Sequence, residues 1–117
     1  LYPNIINKSG KKLVITTGVK KPKILNKISS NKFNSKLIIL SNIDFIEIEN
    51  IVDSCELLIS CHGAISHVAA AKNIRQIDII EKDKLNFYKR WTEHFRNYNF
   101  IYRKNFKNLS RDIINML

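Results

Sequence analysis

Apolar positions along this chain come in two rhythms. Short β-branched and aliphatic runs at Lys12–Thr17, Lys36–Leu40, Glu56–Cys61 and Gln76–Ile80 read as strands, with a weaker fifth at Asn99–Tyr102. Between them the apolar residues recur at helical spacing. Ile48, Ile51, Val52 and Cys55 share one face, with Asp44 as N-cap and Glu47 as its capping-box partner. Ala64–Lys72 is a small-residue helix with Asn73 as a C-cap. Asp83 is expected to cap a helix whose Leu85, Tyr88, Trp91 and Phe95 lie on one side, with Trp91 in the core. Phe106, Leu109, Ile113 and Leu117 mark a last amphipathic helix. Lys20–Ser35 reads as loop, with a short helix at Pro22–Ile28.

This alternation predicts an α/β, Rossmann-like fold: a mostly parallel sheet of about five strands with helices on both faces. Ligands of such sheets sit beyond the carboxyl ends of the strands. The chain positions there are Thr17-Gly18, Ser41-Asn42, Cys61-His62-Gly63 and Glu81-Lys82. At 117 residues the chain is expected to be a single domain. No run approaches the length of a membrane span, and no leader pattern is read at the amino end. The chain begins at Leu1 rather than Met, which fits a portion of a longer polypeptide.

What matters about charge is where it lies. The net charge is +10, and lysine outnumbers arginine 15 to 5. Residues 1–43 hold nine lysines and no acidic residue, whereas residues 44–117 hold 11 basic and 10 acidic residues. A one-sided basic region attracts an anion. A solvated lysine-rich face explains it equally well. Cys55 and Cys61 imply no disulfide framework, and a reducing, cytoplasmic setting is expected.

The candidate chemistry concentrates at residues 56–71. A strand, a turn at His62-Gly63 and a helix from Ala64 aim backbone N–H groups and a helix dipole at the sheet edge, suited to a phosphate or diphosphate. Gly63 is expected to supply positive φ and close ligand approach, or to be an ordinary turn glycine. His67 could orient a ligand or bond within its own helix. His62 and His67, five apart with no acidic helper, do not read as a metal pair. Thr16-Thr17-Gly18 with Lys20-Lys21 could offer hydroxyls, amides and ammonium groups to phosphates, and Glu81 could accept from a ribose or equally be solvated. P-loop, dinucleotide and nucleophile-elbow spacings are absent.

Ile51-Val52-Asp53-Ser54-Cys55, the strand Glu56–Cys61, and His62-Gly63-Ala64-Ile65-Ser66-His67-Val68-Ala69-Ala70-Ala71 together resemble the carboxyl-terminal half of GT-B glycosyltransferases. The likeness is nearest to the family 9 heptosyltransferase type. That family usually shows Asp-Thr-Gly-Pro-Met-His at the turn. Here His62 stands at the acidic or hydroxyl position, and one extra residue separates Gly63 from His67. His62-Gly63-Ala64 also resembles the His-Gly-Ala turn of family 61.

The resemblance implies the donor-binding half of an enzyme that transfers a sugar from a nucleoside diphosphate, in envelope polysaccharide synthesis of the lipopolysaccharide kind. Its substrate-binding residues would be Thr17, Gly18, Lys20, Ser41, His62, Gly63, Ala64, Ile65, Ser66, His67 and Glu81. The leaving diphosphate would be stabilised electrostatically at Gly63–Ser66, by His67, and by Thr17-Gly18 with nearby lysine, with no cofactor or metal required. The general base would lie in an amino-terminal acceptor-binding domain, the other expected partner, without which the half is inactive. A cytoplasmic location at the inner membrane face follows from the same likeness. The alternatives are a basic nucleic-acid-binding module, for which no motif is present, and a non-catalytic interaction domain.

Overall fold

The computed structural model describes residues 2–20, 22–29 and 34–117. Lys21 and residues 30–33 of the expected loop lie outside the described residues. The chain alternates helices and strands and forms two compact units, residues 1–48 with 116–117, and residues 49–115.

The first unit contains α1 (Tyr2–Ser9), β1 (Leu13–Thr16), α2 (Ile24–Ser29) and β2 (Leu37–Leu40). Helix α1, for which the sequence offered no strong pattern, buries Ile6 and ends on Gly10 at φ 68, whose N–H donates to the carbonyl of Ile6. Positive φ favours glycine at that helix end. Strands β1 and β2 pair in parallel, with Leu13 opposite Leu37 and Thr16 opposite Leu40. Val14 and Ile38 remain partly exposed, as expected of a narrow two-stranded sheet.

Helix α3 (Phe45–Ser54) is capped where the sequence predicts: the Asp44 carboxylate accepts from the Glu47 N–H at 2.8 Å. After α3 the chain continues with β3 (Leu57–Cys61), α4 (Ala64–Ala71), β4 (Arg75–Ile80), α5 (Leu85–Thr92), β5 (Tyr98–Tyr102) and α6 (Phe106–Met116). Strands β3, β4 and β5 form a parallel sheet with β4 central. Gln76, Ile77, Asp78 and Ile80 on β4 are all buried. Helix α4 packs on β4 and β3. It ends on Asn73 at φ 55, where the N–H of Asn73 donates to Ala70 and that of Ile74 to Ala69. This is a Schellman motif, in which Asn takes the left-handed position. The Asn105 side chain caps α6 by accepting from the Asn108 N–H at 3.0 Å.

Three expectations need correction. The five strands are present and every pair is parallel, but they divide into sheets of two and three strands rather than one of five. Asp83 does not cap α5; it lies inside a 3-10 turn at Lys82–Lys84, and Lys84 precedes the helix without a side-chain cap bond. Trp91 is 52% exposed, because α5 turns its neighbour Thr92 inward instead. Phe95 falls beyond the end of α5.

Candidate functional site

The polar groups of the second unit converge on a residue the sequence reading passed over. Asp78 sits mid-β4 with no solvent exposure. An unpartnered buried carboxylate would be strongly destabilising, so it must collect donors. Ser66, one turn into α4, donates its hydroxyl to Asp78 Oδ1 at 2.9 Å. Tyr98 at the start of β5 donates its hydroxyl to Oδ2 at 2.9 Å. His62, just past β3, places Nδ1 against the same Oδ2 at 2.5 Å. Three elements flanking β4 thus each send one donor to one carboxylate. The sheet register explains how: Ser60, Asp78 and Phe100 lie abreast across β3, β4 and β5.

Ser66 does more than bind Asp78. Its hydroxyl oxygen also accepts from the Gly63 N–H at 3.3 Å, while its own N–H donates to the Gly63 carbonyl at 3.0 Å. Gln76 Nε2 donates to the Ser66 carbonyl at 3.1 Å. The first turn of α4 is therefore clamped to β4. Among the described residues, the N–H groups of Ala64 and Ile65 keep no acceptor, and Ala64 is exposed. Those two amides are what the helix start can offer an anion.

The imidazole of His62 is wedged between rings. Tyr88 lies 4.6 Å from it, centroid to centroid, and His67 meets it edge-on at 5.6 Å. His67 is exposed, and its ring contacts Phe95 at 5.1 Å. Phe95 in turn contacts Tyr98 at 5.4 Å. Burial, then the bond to Asp78, pushes the Tyr98 phenol well above its ordinary value of 10.0.

Gly63 needs correction. Its φ is 179 and its ψ −166, an extended conformation open to any residue, not positive φ. A Cβ there would meet only the Cys61 carbonyl oxygen, at 3.9 Å. The glycine is not forced by backbone geometry.

The other expected site residues fall as follows. Glu81 follows β4 at the same sheet edge as His62 and pairs with Lys84 at 3.0 Å. Thr17, Gly18, Lys20 and Ser41 belong to the first unit. There Thr17, Gly18 and Ser41 run side by side: the Thr17 N–H donates to Leu40, and the Asn42 N–H to Gly18. Lys20 is exposed, and Lys21 lies outside the described residues. Cys55 and Cys61 are free thiols. Among the described residues, no three His, Cys, Asp or Glu side chains gather as metal ligands.

Asp78, Tyr98 and Gln76 were legible in principle. Gln76, Asp78 and Ile80 alternate with Ile77 and Ile79, so one face of an otherwise apolar strand carries a carboxylate that must be answered from neighbouring elements. No family model matches this chain, and no significant match was found among curated proteins or solved structures.

Proposed function

We propose that the second unit binds the diphosphate of a nucleotide sugar and serves as the donor side of a glycosyltransferase. The observation that carries this reading is the β3-turn-α4 arrangement. It sets the unpartnered amides of Ala64 and Ile65 at the carboxyl edge of a parallel sheet, beside His62. An N–H pair with a helix dipole behind it suits two phosphate groups and the negative charge that grows on them as the sugar leaves. Glu81 on the same edge suits a ribose hydroxyl. The resemblance of residues 51–71 to the GT-B carboxyl-terminal pattern supplies the sugar. Envelope polysaccharide synthesis and an acceptor domain on the amino-terminal side belong to the same proposal. Among the described residues no helix is long and apolar enough to cross a membrane.

The test is calorimetric titration of the chain with uridine, guanosine and adenosine diphosphates. One of the three should bind saturably. Ala64→Glu places a carboxylate at the exposed first helical position, where it competes with the diphosphate while suiting the helix dipole. It should weaken binding about tenfold or more, each tenfold being about 1.4 kcal/mol. A folded chain that binds none of the three, alone or joined to its acceptor domain, removes the proposal.

A further inference from the structure

We infer that Asp78 is a positioning residue that fixes His62 with Nδ1–H turned inward, making the unprotonated Nε2 a proton acceptor for a substrate hydroxyl at the sheet edge. The geometry carries this directly. A carboxylate oxygen 2.5 Å from Nδ1 demands a proton between them, and in neutral imidazole that leaves the lone pair on Nε2. Asp78 cannot turn away: Ser66 holds Oδ1 and Tyr98 shares Oδ2, and the whole side chain is sealed from water. The His62 ring cannot swing freely either, since Tyr88 and His67 flank it.

Among the described residues Nε2 has no partner. The His62 side chain as a whole is 10% exposed, against 0% for that of Asp78. The ring is therefore not wholly sealed, and its inner nitrogen is the one held by the buried carboxylate. A buried carboxylate, an oriented imidazole and an accessible second nitrogen form the arrangement by which proteins make histidine a general base.

This deepens the glycosyl-transfer reading, rests on it for the identity of the substrate, and departs from the resemblance in one respect: the general base is His62 of the second unit rather than a residue of the amino-terminal acceptor domain. In that step the acceptor hydroxyl gives its proton to Nε2 as its oxygen bonds to the anomeric carbon. The bond from that carbon to the phosphate oxygen breaks, and its electron pair leaves with the nucleoside diphosphate. The resulting imidazolium faces Asp78. The diphosphate contacts belong to Ala64 and Ile65, so the base and the anion site are different atoms.

The test reads His62 without needing turnover. Imidazole 15N NMR of the whole chain should show His62 in the Nδ1–H tautomer, with His67 and His94 in the Nε2–H form that free imidazole side chains favour. Diethyl pyrocarbonate, which acylates unprotonated imidazole nitrogen, should modify His62 at Nε2. Asp78→Asn, whose amide can donate to Nδ1, should shift the tautomer toward Nε2–H and slow modification of His62 at Nε2 by about tenfold or more. Should Asp78→Asn fail to fold, the wild-type spectrum and labelling decide alone. A His62 in the Nε2–H form, or one that resists the reagent, overturns the inference. Uridine, guanosine or adenosine diphosphate titration separates the two readings. A fixed, reactive His62 in a chain that binds no diphosphate leaves the dyad standing and removes the sugar donor; diphosphate binding with a tautomer unaffected by Asp78→Asn does the reverse.

Discussion

Two turns in this protein look alike in sequence and differ in what they leave free. Thr17-Gly18 follows β1, and His62-Gly63 follows β3; each puts a polar residue and a glycine at the carboxyl end of a parallel strand. At the first, the Thr17 N–H donates to Leu40, the Asn42 N–H to Gly18 and the Ile43 N–H to Thr17. The Thr17 hydroxyl turns onto the Gly18 carbonyl at 3.2 Å. That turn extends the ladder with the neighbouring segment. At the second, a helix begins at once, two of its amides stay unpartnered, and the histidine side chain is answered by a buried carboxylate. A strand-end glycine is therefore not by itself a ligand site; the element that follows it and the residue beneath it decide.

The contrast can be broken most forcefully at Asp78. Asp78→Ala strands the Ser66 and Tyr98 hydroxyls and His62 Nδ1, and should destabilise the chain by about 3–5 kcal/mol in denaturant titration. Thr17→Val in the other turn loses one local hydroxyl contact and should stay within about 0.5 kcal/mol. Equal effects would dissolve the distinction.

The same asymmetry is expected in the apolar layers. Ile77, fully buried on central β4, should lose about 2–5 kcal/mol on truncation to alanine. Val14 on β1, 38% exposed, should lose less than about 1 kcal/mol in the same assay.

Glycine substitution sharpens the point about backbone freedom. Gly10→Ala, at φ 68, should cost about 1 kcal/mol. Gly63→Ala, in extended backbone with open space around it, should fold as the parent does and melt within a degree or two of it. A collapse of Gly63→Ala would mean the turn is far tighter than its geometry.

The smallest effect concerns pH. Tyr98 is raised above its ordinary value of 10.0, so native protein holds its phenolic proton where unfolded chain has released it. Its contribution is complete below pH 10 and is lost as pH climbs beyond that. Melting curves of Tyr98→Phe should decline less steeply than wild type above pH 10, and parallel curves would discount the upward shift that burial and the Asp78 bond give Tyr98.

Much of the architecture was legible. All five strand positions, the Asp44 cap and the strand-turn-helix at residues 56–71 follow from local pattern, since alternation, capping chemistry and small-residue packing act within a few residues. Trp91 misled because a helical stripe read without its neighbours cannot say which side meets a sheet; Thr92 took the inward place. Helix α1 was missed because its apolar residues are few and no capping pattern announces it.

By itself, then, the chain's residue pattern determined the α/β alternation and where β3 gives way to α4. The separation of the strands into two sheets, the extended backbone of Gly63 and the gathering of Ser66, Tyr98 and His62 around Asp78 follow from long-range packing. The difference is one of range. Propensity and capping are settled between residues a turn apart, whereas a buried carboxylate is settled by whichever donors the sheet register brings to it, from positions 12, 16 and 20 residues away.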